Sequence, residues 1–205
     1  MRNSRTGLAA ALVLVCAVAS SGCGSAQAPT RYYSLLAEAG QRPSAAPTEK
    51  TLSVSVGPVI IPDILKQTRI ATSKGDGSYN LSEYHRWSGD VDRDIARALA
   101  EHLGRGLGTE QVFVFPWDQA GAPAYRVLAD VISMGGNPDG EATLHVRWTV
   151  VPRSGTAEPV TRRTDLSEKC PGPDHADWVA AQQRNVGHLA AAIAATILDL
   201  HGQGT

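Results

Sequence analysis

Cysteine is scarce in this 205-residue chain, which holds only Cys16, Cys23 and Cys170. Three thiols cannot staple a disulfide scaffold, and no Cys-x-x-Cys spacing offers a structural zinc site. Phenylalanine and methionine are scarcer still, two of each, so a core must come mainly from aliphatic residues and four tryptophans. An excess of one charge is also missing. With 19 basic and 20 acidic residues the formal charge is −1, which excludes the basic footprint of a nucleic-acid-binding protein. Catalytic signatures are absent as well: the chain has no Gly-x-Ser-x-Gly elbow, no His-Glu-x-x-His, no Gly-x-Gly-x-x-Gly and no Gly-Lys-Ser/Thr. No apolar run reaches the ~20 residues that a spanning helix needs.

What is present begins at the N-terminus. Arg2 and Arg5 precede an apolar run from Leu8 to Ala19, followed by Ser20-Ser21-Gly22-Cys23. A basic head, a short apolar stretch and small residues before a cut describe a secretory signal. A cysteine directly after them resembles a bacterial lipobox, with Ser20 standing where leucine is usual. On this reading residues 1–22 are removed, Cys23 is lipidated, 23–30 are a tether and 31–205 form one domain. One acyl chain holds only marginally, so stable anchoring takes a second. Gly24, rather than the aspartate that in enterobacteria retains lipoproteins at the inner membrane, favours the periplasmic face of the outer membrane. An ordinary signal cut near Gly22 or Ala28 is the simpler alternative. Loss of Arg2 and Arg5 takes the formal charge from −1 to −3. Cys170 is then a single thiol, unless Cys23 stays free and bridges to it.

Hydrophobic periodicity outlines the domain. Arg31–Leu36 reads as a first strand. Ala37–Lys50, with Gly40, Pro43 and Pro47, reads as a loop. Thr51–Val56 alternates, with Leu52, Val54 and Val56 opposite Ser53 and Ser55. Gly57-Pro58 is expected to break that strand before Val59–Ile61, and Pro62-Asp63 to turn it. Arg69–Ser73 and Tyr79–Tyr84 flank a glycine-containing hairpin loop. Asp90–Leu107 carries Val91, Ile95, Ala98, Leu99, Leu103 and Leu107 at helical spacing, with acids in its first turns. Strands follow at Gln111–Trp117, Tyr125–Ser133, Ala142–Val150 and Pro159–Leu166. A second helix over Asp174–His201 is expected to break at Gly187. Strands, helix, strands, helix argue α+β: a mainly antiparallel sheet with two main helices packed on one face.

Chemistry is hard to find. Cys170, Asp174, His175 and Asp177 cluster within eight residues, but Asp174 serves more simply as a helix cap, and no metal or cofactor is implied. His175 and Asp174 are the residues that an envelope hydrolase, the alternative from another class, would use. Trp148 belongs on a buried face. Trp87 and Trp117 sit at element ends, where an amphipathic aromatic ring can face a partner.

The sequence also resembles a family. Tyr32-Tyr33-Ser34-Leu35 soon after the cysteine, Val56-Gly57-Pro58-Val59 running into Ile61-Pro62-Asp63, Arg69-Ile70, Glu83 to Trp87, Phe115-Pro116-Trp117 and an amphipathic C-terminal helix occur in this order. They are similar to the ABC-type transport auxiliary lipoproteins of the PqiC-like group. The family's usual Arg-Pro-Gln is here Gln67-Thr68-Arg69, and its acidic-Pro-Leu is Ser88-Gly89-Asp90-Val91. The resemblance implies a non-catalytic envelope lipoprotein working with MCE-domain proteins of lipid transport, sometimes with an ABC transporter. It carries no catalytic residues to this chain and leaves self-association open. Trp87, Trp117, Pro58, Pro62 and Asp63 are the expected partner contacts. A purely structural outer-membrane lipoprotein is the remaining alternative.

Overall fold

The computed structural model describes residues 28–36, 52–116, 122–153 and 158–203. Cys23, the tether up to Gln27 and Trp117 lie outside the described residues. The elements are β1 (Arg31–Tyr33), β2 (Val54–Ile60), β3 (Arg69–Ser73), β4 (Tyr79–Trp87), α1 (Val91–Leu107), β5 (Val112–Val114), β6 (Tyr125–Gly136), β7 (Glu141–Pro152), β8 (Val160–Lys169) and α2 (His175–Gln203). A 3-10 turn at Asp63–Leu65 follows β2.

All eight strands join one sheet, and β6 is its hub. One side of β6 pairs along its length with β7, which pairs in turn with β8. The other side takes β2 along its first half and touches β3 only at Ser73 opposite Gly136. The sheet therefore forks, with β5 continuing beyond β2 and β4 and β1 continuing beyond β3. Pairing is antiparallel in the β3–β4, β3–β6, β6–β7 and β7–β8 contacts and parallel in β1–β4, β2–β5 and β2–β6. Both helices pack on one face, α1 over β2 and β5, α2 over β7 and β8, and each against the other. This is the α+β architecture expected from the order of elements.

The strict alternation of β7 becomes burial: Ala142, Leu144, Val146, Trp148 and Val150 are buried under α2 while Glu141 and Arg147 face out. In α1 the predicted stripe is buried from Val91 to Leu107, and Gly108 ends the helix at φ 64 with its N–H bonded to the Gly104 carbonyl. That left-handed position favours glycine because a Cβ would crowd the following carbonyl.

Two expectations are corrected. Gly57-Pro58 does not end the strand. Pairing with β6 shifts between Val56 and Val59, so β2 absorbs the dipeptide as a bulge, where a residue without an N–H is tolerated. Gly187 does not break α2 either. It faces His102 of α1, and a Cβ there would lie 3.3 Å from the imidazole, so the glycine serves close helix approach.

Side chains invisible to periodicity complete the frame. Asp94 accepts hydrogen bonds from Ser34 Oγ at 2.8 Å and Leu35 N at 2.5 Å, tying the segment after β1 to α1. On α2, fully buried Gln182 donates to the Gly135 and Thr143 carbonyls, and Asn185 to that of Ala142. These bonds pair the buried amide N–H groups of both side chains.

Candidate functional site

The expected contacts divide once the fold is in place. Pro58 is exposed on β2, and Ile60, two residues on along the same strand face, is 60% exposed. Phe115, just past β5, is 49% exposed, and Pro116 beside it is exposed. These two segments adjoin: Phe115 N donates to the Val56 carbonyl at 2.8 Å, and a Cβ added to Gly57 would lie 3.1 Å from that of Phe115. With φ +112 and that close approach, Gly57 fits glycine alone. The rim continues into half-buried Pro62 and exposed Asp63. The hydrogen bond and charge of Lys66, 2.6 Å away, hold the Asp63 carboxyl below its usual range.

Trp87 does not join this rim. Although it ends β4, it pairs with Tyr33 on the helix-facing side, is 3% exposed and packs on Trp178 with ring centroids 6.1 Å apart. Its indole has no surface to offer. Ile60 and Phe115 take its place. Ile60 belongs to an apolar run, and nothing in that run says which residue points outward.

His175, the residue of the hydrolase alternative, opens α2 and stacks on His85 of β4, with centroids 4.1 Å apart and planes 5° from parallel. His85 Nδ1 lies 2.8 Å from Ser82 Oγ, which also accepts the backbone N–H of His85 at 3.2 Å. Asp174 is exposed and raises both histidines only weakly. Burial is the main cause that lowers both imidazole pKa values. Arg31 adds to it at His85, and the facing ring of His85 adds to it at His175. Among the described residues no three His, Cys, Asp or Glu side chains converge as a metal site. Cys170 is a half-buried thiol, its Sγ 3.7 Å from the Asn137 carbonyl and its pKa raised mainly by burial.

A pH dependence follows from the stack. A histidine with a depressed pKa in the folded state binds fewer protons there than when unfolded. The stability it contributes is therefore complete above about pH 6.5 and lost as pH falls below it. The unfolding midpoint should drop between about pH 7 and pH 5. His85→Phe/His175→Phe should flatten that slope, with a remainder from His102, which is lowered chiefly by burial. Calorimetry across this range checks it, and an unchanged slope in the double variant would refute it.

An open cleft of about 700 Å³ also lies between the β3–β4 and β6–β7 hairpins, lined by Lys74, Tyr79, Asn137, Glu141 and His145 among others. It gathers none of the partner contacts expected from the sequence. No helix among the described residues is long and apolar enough to cross a membrane.

Residues 33–194 match the model of a family described as the ABC-type transport auxiliary lipoprotein component. Among solved structures, a crystal structure of an uncharacterized protein is 17% identical with a TM-score of 0.66, covering 82% of this chain and 99% of its own. A protein from Xanthomonas campestris is 13% identical with a TM-score of 0.62, covering 77% and 89% respectively. At these identities the likeness concerns the fold. No curated protein matches the sequence closely enough to count as a relative.

Proposed function

This chain belongs to the ABC-type transport auxiliary lipoprotein component family, and from that premise we propose that it is a non-catalytic docking subunit of an envelope lipid transport system. Acylated Cys23 holds it at the periplasmic face of the outer membrane. The rim of Pro58, Ile60, Pro62, Asp63 and Phe115, with Trp117 two residues further along the sequence, meets an MCE-domain protein of the transport complex. The observation that carries this reading is the pair Ile60 and Phe115. Two large apolar side chains stand on adjoining segments stiffened by prolines, and such anchors order cheaply on binding. Central apolar anchors of this kind dominate interface energies.

The experiment is Ile60→Asp and Phe115→Asp in the full chain, with cooperative unfolding checked against wild type, followed by pull-down of the MCE-domain protein. A folded variant should bind at least about 30-fold more weakly, the loss of one hot-spot residue. Unchanged binding by folded variants would remove the rim from this role. The anchor is tested separately: Cys23→Ala should leave the membrane fraction after a high-salt wash.

A further inference from the structure

The sheet carries a second unusual surface, on the branch away from the docking rim. Strand pairing sets Tyr32 opposite Arg86 and Arg86 opposite Arg69, so three side chains form one row across β1, β4 and β3. The neighbouring row, Tyr33 and Trp87, turns inward, so this row faces away from the helices. Tyr32 is 66% exposed, more than any other large hydrophobic residue among those described. Arg69 and Arg86 place like charges directly opposite each other, an arrangement that destabilises a sheet. Among the described residues neither makes an ion pair, and the hydrogen bond of Arg86 goes to Thr68 Oγ1 at 3.3 Å. An exposed ring beside two cations without a counter-ion fits an external anionic surface.

The chain's own geometry says which surface. Only residues 24–30 separate Cys23 from β1. Such a segment reaches at most about 28 Å at ~3.5 Å per residue, so an acyl group on Cys23 keeps β1 and its partner β4 near the bilayer. We propose that the Tyr32–Arg86–Arg69 row rests on anionic phospholipid headgroups of the membrane that holds the chain. Tyr32 sits at the interface, where amphipathic rings are favoured, and the guanidinium groups meet lipid phosphates. The contact orients the domain on its anchor and leaves the β2–β5 rim to the partner. It rests on the lipidation of Cys23 proposed above.

The test uses the lipidated protein reconstituted into vesicles of phosphatidylcholine alone or mixed equally with phosphatidylglycerol. Arginine modification by phenylglyoxal is followed by mass spectrometry. Arg69 and Arg86 should react at least about fivefold more slowly on the anionic vesicles, the effect of one favourable arginine–surface contact. Exposed Arg93 and Arg97, on α1 and so on the opposite side of the sheet, should react equally on both vesicles. The shielding should vanish near 1 M salt, where the screening length is ~3 Å. Equal reactivity of Arg69 and Arg86 on both vesicles would overturn the inference while the protein still floats with lipid. A protein that floats with neither vesicle would overturn the anchor and this inference together. Shielding that appears only when the transport partner is added, on either lipid, would make the row a protein interface instead and also overturn it.

Discussion

Trp148→Ala is expected to destabilise the domain by about 3–5 kcal/mol, the usual cost of truncating a buried large aromatic. Trp148 is 1% exposed on β7 and packs beneath the helices as part of the main core. Its Nε1 donates to Thr164 Oγ1 of β8 at 2.8 Å, so the indole also pins the edge strand. The loss is large against the ~5–15 kcal/mol by which domains of this kind are stable. Trp148→Phe separates the two contributions, keeping most of the apolar volume while losing the hydrogen bond, and should cost about 1 kcal/mol for that bond in addition to the packing change. Urea denaturation measures both. A loss under about 1 kcal/mol for the alanine variant, far below the range for buried aromatics, would mean that this face of β7 is not core.

Gly136→Ala should cost about 2–5 kcal/mol, from a steric part and a conformational part. Gly136 ends β6 at φ +89, and a Cβ there would press into the Glu141 carbonyl oxygen and lie 2.9 Å from Ala142 Cα. Both contacts are backbone, so neither can swing aside. The turn that they belong to is held by Asn137 N–H on the Glu141 carbonyl and Gly140 N–H on that of Asn137, each at 2.9 Å. Opening it would disturb the start of the β6–β7 ladder, the longest in the sheet. Gly77→Ala is the control. It has φ +87, but nothing lies within 4 Å of the added carbon, so only the conformational cost of ~1–2 kcal/mol applies. Equal losses in the two variants would show that the predicted clash at Gly136 is relieved by movement.

Much of this molecule was legible from residue order alone, where the physics is local. Apolar alternation over Ala142–Val150 and helical spacing over Val91–Leu107 report which face is buried, because each pattern follows from the geometry of a single element. The glycine-containing loop between β3 and β4 likewise reports its hairpin, with Gly75 and Gly77 at positive φ. The family resemblance drew on the same local stretches, and the match over residues 33–194 agrees with it.

What depended on neighbours distant in sequence was not legible. Trp87 sits at an element's end as the sequence suggested, yet it is buried because its ring packs against the first turn of α2, where its contact Trp178 lies 91 positions away. Ser55 alternates with Val54 and Val56 as a solvent-facing residue would. It is nevertheless fully buried on a strand flanked by β5 and β6, surroundings that its own segment does not report. Gln182 and Asn185 look like exposed helix positions and instead bind carbonyls of β6 and β7, groups that their own helix cannot supply. Composition and periodicity thus decided which elements form and which face of each is apolar. Only the forked sheet decided whether an apolar or aromatic residue at an element's end, Ile60 or Trp87, meets solvent or core, because strand pairing between distant segments sets that exposure.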